Sequence, residues 1–201
     1  MAGWRLYKRL PAFVLGFHGC DESVGEAVLA GKHPLEQSNN AYDWLGTGRY
    51  FWEGSPARAL QFAQQASTGS KVSRGRISKP FVIGAVIDLA RCCNLLDPDA
   101  LGELREAHDV LVVTHEKGGT APPENKGENL AQRYRDRATV ETMHKVRELL
   151  KLEPYDTVRA PFWEGDPLYL NAGFATRNHI QIAVRNLDCI LGYFRPIEAL
   201  K

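Results

Sequence analysis

Two glycines precede three consecutive aromatic residues in the stretch Leu45-Gly46-Thr47-Gly48-Arg49-Tyr50-Phe51-Trp52. A helix start follows at Ser55. Ser55 is a suitable N-cap, and Pro56 is suited to the first helical position. Apolar residues then recur at helical spacing, at Ala59, Phe62, Ala63 and Ala66. The pattern predicts a glycine-bearing loop of the kind that holds ligands, running into a helix that packs through Phe62.

Upstream of this stretch, the run from Ala12 to Phe17 is continuously apolar and is preceded by Pro11. A run of this length and character is typical of a strand that is covered on both faces, and it places His18 at the strand end. Ser23 and Glu26 then form a capping-box pattern. We therefore expect a short helix over about residues 24–30, ended by Gly31.

Near the other end of the chain, residues 178–185 show the clearest alternation of apolar and polar positions in the sequence. Ile180, Ile182 and Val184 fall on one face of the predicted strand. The opposite face carries His179, Gln181 and Arg185. A further strand is predicted from Cys189 to Phe194, so strands lie at both ends of the chain and the residues indicate a mixed α/β class.

The middle of the chain is predicted to hold a strand from Phe81 to Asp88 and two helices, over about 97–115 and 131–152. Loops of polar, glycine-rich or proline-rich composition are expected at about 67–79 and 116–130. One face of the second helix is basic. Its cationic residues are Arg133, Arg135, Arg137, Lys145, Arg147 and Lys151.

The composition is that of an ordinary globular protein. The 201 residues are 44% hydrophobic and 24% charged, with a formal net charge of +1, so no global field draws the chain to nucleic acid or to a membrane surface. No apolar run approaches the length of a membrane span, and the basic and apolar start is interpreted as a first strand rather than a leader. The four cysteines show no zinc spacing and are expected to be reduced, which favours a cytoplasmic protein without a metal.

Several familiar catalytic signatures are absent from the sequence. There is no GxxxxGK[ST] loop and no GxGxxG after a strand, so P-loop and Rossmann nucleotide sites are unsupported. There is also no GxSxG elbow and no HExxH helix.

Three separated pieces, taken in order, carry a resemblance to a known family. They are Phe17-His18-Gly19-Cys20, the stretch from Gly46 to Phe51 with its following helix, and Gln181 placed three residues before Val184 in a strand. This order resembles the ADP-ribosyltransferase superfamily, in the histidine-tyrosine-glutamate class that contains the poly(ADP-ribose) polymerase catalytic domains. The second piece is the most specific, because a bare His-Gly pair is common.

The resemblance implies an α+β fold, a split antiparallel β-sandwich with flanking helices, in a single domain over residues 1–201. It also implies NAD+ as co-substrate, with His18 on the adenosine ribose and Gly19 at the nicotinamide carboxamide. Tyr50 and Phe62 would then sandwich the nicotinamide ring.

The sequence departs from the family pattern at Gln181, where a glutamate is usual. A neutral amide cannot offset positive charge on the sugar as a carboxylate does. Glu164 is our candidate for a substitute carboxylate, although it could equally form an ordinary loop ion pair with Arg159. Phe17 and Cys20 also differ from the usual tyrosine and hydroxyl residue.

Together these features predict a mono-ADP-ribosyltransferase that acts on a macromolecular acceptor. RNA or DNA is slightly favoured over protein because of the basic helix face and the basic loop from Lys71 to Lys79. A toxin or defence effector with a neutralising antitoxin partner fits a small cytoplasmic enzyme of this kind. The alternatives are an NAD+ glycohydrolase on the same fold and a non-catalytic module that binds a nucleotide or partner protein. An enzyme of the tRNA 2′-phosphotransferase type would need several arginines around its cleft.

Overall fold

The predicted strands join in one sheet. The structure is a computed structural model that describes residues 13–68, 77–127, 130 and 132–197. The strands are β1 (Val14–Asp21), β2 (Arg49–Glu53), β3 (Pro80–Ile87), β4 (Cys92–Asn94), β5 (Thr157–Phe162), β6 (His179–Val184) and β7 (Ile190–Phe194). The helices are α1 (Glu22–Leu29), α2 (Pro56–Ser67), α3 (Pro98–Lys117) and α4 (Tyr134–Leu149).

The strand order across the sheet is β4-β5-β6-β2-β1-β3-β7. Only the β4–β5 pair is parallel, and every other neighbouring pair of the described strands is antiparallel. A largely antiparallel sheet with separate helices confirms the predicted α+β class.

The sheet is weakly joined between β1 and β2. These strands share the residue pairs Gly16 with Glu53 and Phe17 with Trp52. In contrast, β1 stays paired with β3 along its whole length, to the pair Asp21 and Pro80. The strands β1 and β2 therefore separate from His18 onward, and the sheet divides into a β4-β5-β6-β2 part and a β1-β3-β7 part.

The two faces of the sheet bury different sets of side chains. Phe51, Ile83 and Ile182 belong to a core cluster that Val28 of α1 joins. The opposite face packs against the other three helices. Residues of α3 and α4, among them Met143, form one buried cluster on this face. A second cluster buries Ala59 of α2 against Phe17 and Trp52.

Local capping signals predicted the start of α2 but not that of α1. Ser55 caps α2 and Pro56 follows it, as predicted. The α1 helix, however, is capped by Asp21, whose side chain accepts from the Ser23 backbone at 3.0 Å, so Ser23 is not the N-cap. Because β1 continues to Asp21, His18 lies within the strand and not at its end.

The remaining boundaries differ from the predictions by a few residues. α3 continues to Lys117, and α4 is shorter at both ends than the predicted 131–152. Cys189 belongs to a short 3-10 turn before β7. Most of the predicted loop over 67–79 lies outside the described residues, whereas the loop predicted over 116–130 follows α3 as expected.

Candidate functional site

The three motif strands are neighbours in the sheet. His18 lies on β1, Tyr50 on β2 and Gln181 on β6, and these strands are adjacent in the order β6-β2-β1. Trp52 is the cross-strand partner of both Phe17 and Gln181. The three strands therefore meet around the point where β1 and β2 separate. The His18 ring lies against Phe51 on the α1 side of the sheet, whereas Tyr50 and Gln181 lie on the opposite face.

His18 spans this separation. Its Nδ1 lies 2.8 Å from the Tyr50 carbonyl oxygen. A carbonyl only accepts, so Nδ1 carries the proton and Nε2 of the neutral ring is the acceptor. Burial lowers the pKa of His18 even though the hydrogen bond to the Tyr50 carbonyl acts in the opposite direction. The ring is therefore neutral at neutral pH and presents one acceptor nitrogen.

The Tyr50 hydroxyl is held by the loop that precedes its own strand. It donates to the Gly46 carbonyl at 2.7 Å and accepts from the Leu45 backbone N–H at 3.1 Å. Burial raises the pKa of Tyr50 well above its ordinary value. The hydroxyl thus fixes the turn at Gly46, where φ is +78°, a value that favours glycine.

Gln181 has a partner that sequence reasoning missed. Trp44 donates from its indole Nε1 to the Gln181 side-chain oxygen at 2.9 Å. Trp44 immediately precedes the glycine-bearing stretch that begins at Leu45, but nothing in the sequence indicates which strand it reaches. The bond leaves the amide nitrogen of Gln181 as the group that faces away from Trp44.

The predicted nicotinamide residues lie on the α2 side of the sheet. Phe62 stacks obliquely on Trp52, with ring centroids 5.1 Å apart, so its aromatic neighbour is Trp52 and not Tyr50. Gly19 is pressed against α2, because a Cβ there would meet the Ala59 carbonyl oxygen at 2.1 Å. Close helix packing thus gives Gly19 a structural role beside its predicted one.

Glu164 stands among cationic side chains at the base of the segment between β5 and β6. It bonds Arg58 of α2 at 3.1 Å and lies 3.6 Å from Arg177. His179 is 3.9 Å away. The alternative of a Glu164 pair with Arg159 is wrong, because Arg159 bonds Glu53 of β2 through both its Nε and Nη2 atoms.

The basic face predicted on α4 is largely used inside the chain. Four of its arginines contact chain partners: Arg133 with Asp136, Arg135 with the Pro123 carbonyl, Arg137 with Asn39 and Arg147 with Glu103. Lys145 and Lys151 remain exposed. In the basic loop from Lys71 to Lys79, residues 71–76 lie outside the described residues, and Lys79 pairs with Glu22 at 2.7 Å. The described part of α4 therefore offers few uncommitted cations to a phosphate backbone.

A separate cavity of about 480 Å³ lies between α3 and α4, and Trp44 forms part of its wall. Cavities of several hundred Å³ are large enough for a small ligand. Its other lining residues include Leu95, Leu104, His108 and Val140. It is distinct from the separation between β1 and β2.

Among the described residues, no group of three or more His, Cys, Asp or Glu side chains is arranged to hold a metal ion. None of the four cysteines is bonded to another. No helix in the described ranges is long and apolar enough to cross a membrane. Comparisons with protein-family models, with curated proteins and with solved structures find no match. The assignment of this site therefore depends on its geometry and on the motif resemblance.

Proposed function

We propose that this chain is a mono-ADP-ribosyltransferase of the histidine-tyrosine-glutamate type that binds NAD+ where β1 and β2 separate. One observation carries the proposal: the three motif strands are adjacent, and the sheet opens between the histidine strand and the tyrosine strand. The split β-sandwich of that superfamily is the finer fold that this opening supports.

The opening supplies backbone groups for a ligand. A strand alternates its N–H and C=O groups between its two neighbours, and β1 beyond Phe17 keeps only β3 as a strand partner. Backbone groups of β1 that face the gap are therefore free of strand pairing near Gly19. A carboxamide, with an NH2 donor group and a carbonyl acceptor, matches such an unpaired strand edge.

Side chains around the opening suit the remaining parts of NAD+. His18 offers Nε2 as an acceptor for a ribose hydroxyl. Trp52 and Phe62 provide aromatic surface for the nicotinamide ring on the α2 side. Tyr50 lies two residues before Trp52 in β2, on the same face of the strand. Aromatic contacts of this kind contribute about 0.5–1.5 kcal/mol each beyond area burial.

In the reaction we propose, the bond between nicotinamide and the ribose C1′ breaks and nicotinamide leaves with the electron pair. A nucleophilic group of the acceptor forms the new bond to C1′ and releases a proton. Gln181 offers a dipole but no negative charge to the sugar, which is expected to cost about 10²–10³ in rate relative to a carboxylate. The charge of Glu164 is already offset by Arg58 and Arg177, so it is a poor substitute. A slow single transfer follows from this arrangement.

The acceptor and any antitoxin partner remain predictions. Because most arginines of the α4 face have partners within the chain, that face no longer favours RNA or DNA strongly over protein. A cytoplasmic location likewise remains a prediction from the cysteine pattern. To identify the acceptor class, labelled NAD+ is incubated with cell lysate and the product is treated with nuclease or with protease. Release of the label by nuclease indicates a nucleic acid acceptor, and release by protease indicates a protein acceptor.

Nicotinamide release, measured with and without total RNA, tests the proposed activity. His18→Asn is the informative variant, because the asparagine amide keeps a donor toward the Tyr50 carbonyl but lacks the Nε2 acceptor. We expect it to fold and to lose most of the release. His33→Asn, at an exposed position, is the matched control and should leave the rate unchanged.

The two alternative functions give different results in the same assay. A glycohydrolase yields free ADP-ribose as the main product without any acceptor. A non-catalytic binding module binds NAD+ without releasing nicotinamide at any concentration. Full activity of His18→Asn would reject the site.

A further inference from the structure

Two arginines from different elements converge on a single carboxylate beside the proposed site. Arg58 comes from α2, and Arg177 and Glu164 lie at the two ends of the segment between β5 and β6. The neutral form of His179 is favoured, because its burial lowers its pKa despite the hydrogen bond to the Arg177 carbonyl. The cluster of Arg58, Glu164, Arg177 and His179 therefore keeps one uncompensated positive charge.

Three buried polar atoms on this side of the sheet have no hydrogen-bond partner within the described part of the chain. They are Arg58 Nε, Trp52 Nε1 and His179 Nε2. The first two are donors. His179 Nδ1 donates to the Arg177 carbonyl at 2.7 Å, so Nε2 is left as an acceptor. Each such buried group is destabilising while it stays unbonded.

The residues that carry these atoms are neighbours, because Glu164 contacts both Arg58 and His179. The Trp52 and His179 rings have centroids 6.1 Å apart, and the side chain of His179 is only 1% exposed. Arg58 is 12% exposed, whereas the Glu164 carboxylate that covers it is 38% exposed. Glu164 thus approaches the buried cationic groups from the solvent side.

Glu164 can move without disturbing the core. It precedes Gly165, which has a φ of +88°, and it opens a segment that is closed on itself by bridging between Pro167 and Ala175. The side chain belongs to none of the buried clusters. Its carboxylate therefore contacts the arginines from outside the core, where an external anion can replace it.

We propose that Arg58, Arg177 and His179 form a binding site for a phosphate or diphosphate group, and that Glu164 is an internal anion that competes for it. Guanidinium groups bind phosphate oxygens through paired, charge-assisted hydrogen bonds, as they bind carboxylates. The buried Arg58 Nε and Trp52 Nε1 donors would bond further phosphate oxygens, and His179 Nε2 would accept from a protonated one. The inference does not depend on NAD+ turnover.

The test is the affinity for inorganic pyrophosphate, measured by titration calorimetry at fixed ionic strength. Glu164→Gln removes the competing charge and is expected to bind pyrophosphate about tenfold or more tightly than the unaltered protein. Adding Arg58→Gln to that variant should abolish the gain. Glu153→Gln, which removes a carboxylate from the exposed ion pair with Arg91, is the matched control and should change nothing.

Equal pyrophosphate affinities of the unaltered protein and Glu164→Gln would overturn the proposal, as would a gain that survives Arg58→Gln. Should Glu164→Gln not fold, Arg177→Gln in the unaltered background gives a second measurement, with loss of pyrophosphate-induced thermal stabilisation expected. Retained stabilisation would again reject the site. Competition by ADP-ribose or by a 5′-phosphorylated RNA oligonucleotide then distinguishes a dinucleotide diphosphate from a nucleic acid phosphate as the source.

Discussion

The indole Nε1 of Trp44 donates a 2.9 Å hydrogen bond to the side-chain oxygen of Gln181, joining residues 137 positions apart. Trp44 lies in the loop that leads to β2, and Gln181 lies in β6 opposite Trp52. The bond connects the loop just before the most specific motif with the residue at which the sequence departs from the family pattern. A carboxylate at position 181 could therefore accept the same hydrogen bond from the Trp44 indole.

Gln181→Glu is expected to increase activity. The Trp44 indole can donate to a carboxylate as well as to an amide, and the restored negative charge would stabilise the cationic sugar. Initial rates of nicotinamide release should rise about 10²–10³-fold. Gln64→Glu, at an exposed position of α2, adds the same charge elsewhere and should have no effect. An unchanged or lower rate in folded Gln181→Glu would contradict the assigned role of this position.

Tyr50→Phe separates the role of the hydroxyl from that of the ring. The substitution leaves the Gly46 carbonyl and the Leu45 N–H without their partner, so the free energy of unfolding should fall by about 1–3 kcal/mol in chemical denaturation. Nicotinamide release should persist in Tyr50→Phe and disappear in Tyr50→Ala. Tyr169→Phe, at an exposed position, is the control for stability. Turnover by Tyr50→Ala at the unaltered rate would exclude Tyr50 from the site.

Gly19→Ala should destabilise the fold. Its Cβ would meet the Ala59 carbonyl at 2.1 Å, and helix α2 must shift to admit it. We expect a loss of about 1–3 kcal/mol in the free energy of unfolding. Gly102→Ala, in α3 with open space around its Cβ, should instead gain about 0.5–1 kcal/mol. If both variants unfolded at the same denaturant concentration, the close packing of β1 on α2 would be disproved.

His144 is expected to make the fold sensitive to acid. Burial, with the nearby charge of Arg185, lowers the pKa of His144 to about 4 from the ordinary 6.5, although Glu141 acts in the opposite direction. Arg147 also disfavours the charged ring, and Tyr155 packs on it edge to face. The folded state resists protonation that the unfolded state accepts. The contribution of neutral His144 to the free energy of unfolding is therefore complete above about pH 6.5. It is lost as the pH falls toward 4, and the loss is at most about 3 kcal/mol.

Denaturant melts between pH 4 and pH 8 measure this effect. In His144→Gln the fall in stability on acidification should be smaller than in the unaltered protein. His33→Gln, whose side chain is exposed, should retain the full pH dependence. The same slope in all three proteins would show that His144 does not titrate as expected.

Much of the architecture followed from short-range signals. Ser55 and Pro56 start α2 because the Ser55 side chain accepts from a backbone N–H of the first turn and proline at the first position has no N–H that needs a partner. Ile182 and Gln181 face opposite sides of β6 because side chains alternate along any strand. The basic character of α4 was also predictable, but the sequence did not indicate that most of its arginines bond partners within the chain.

The sequence by itself determined where the chain turns, where its helices begin and which strand residues share a face, since these depend on neighbours within about four positions. Only the tertiary structure decided that Trp52 meets Phe62, that Trp44 bonds Gln181 and that Arg58 meets Glu164. These contacts cross between strands and helices far apart along the chain, and strand order and register choose them. Many pairings of aromatic and charged residues satisfy the same local pattern, so the one that forms is set by how the whole sheet packs.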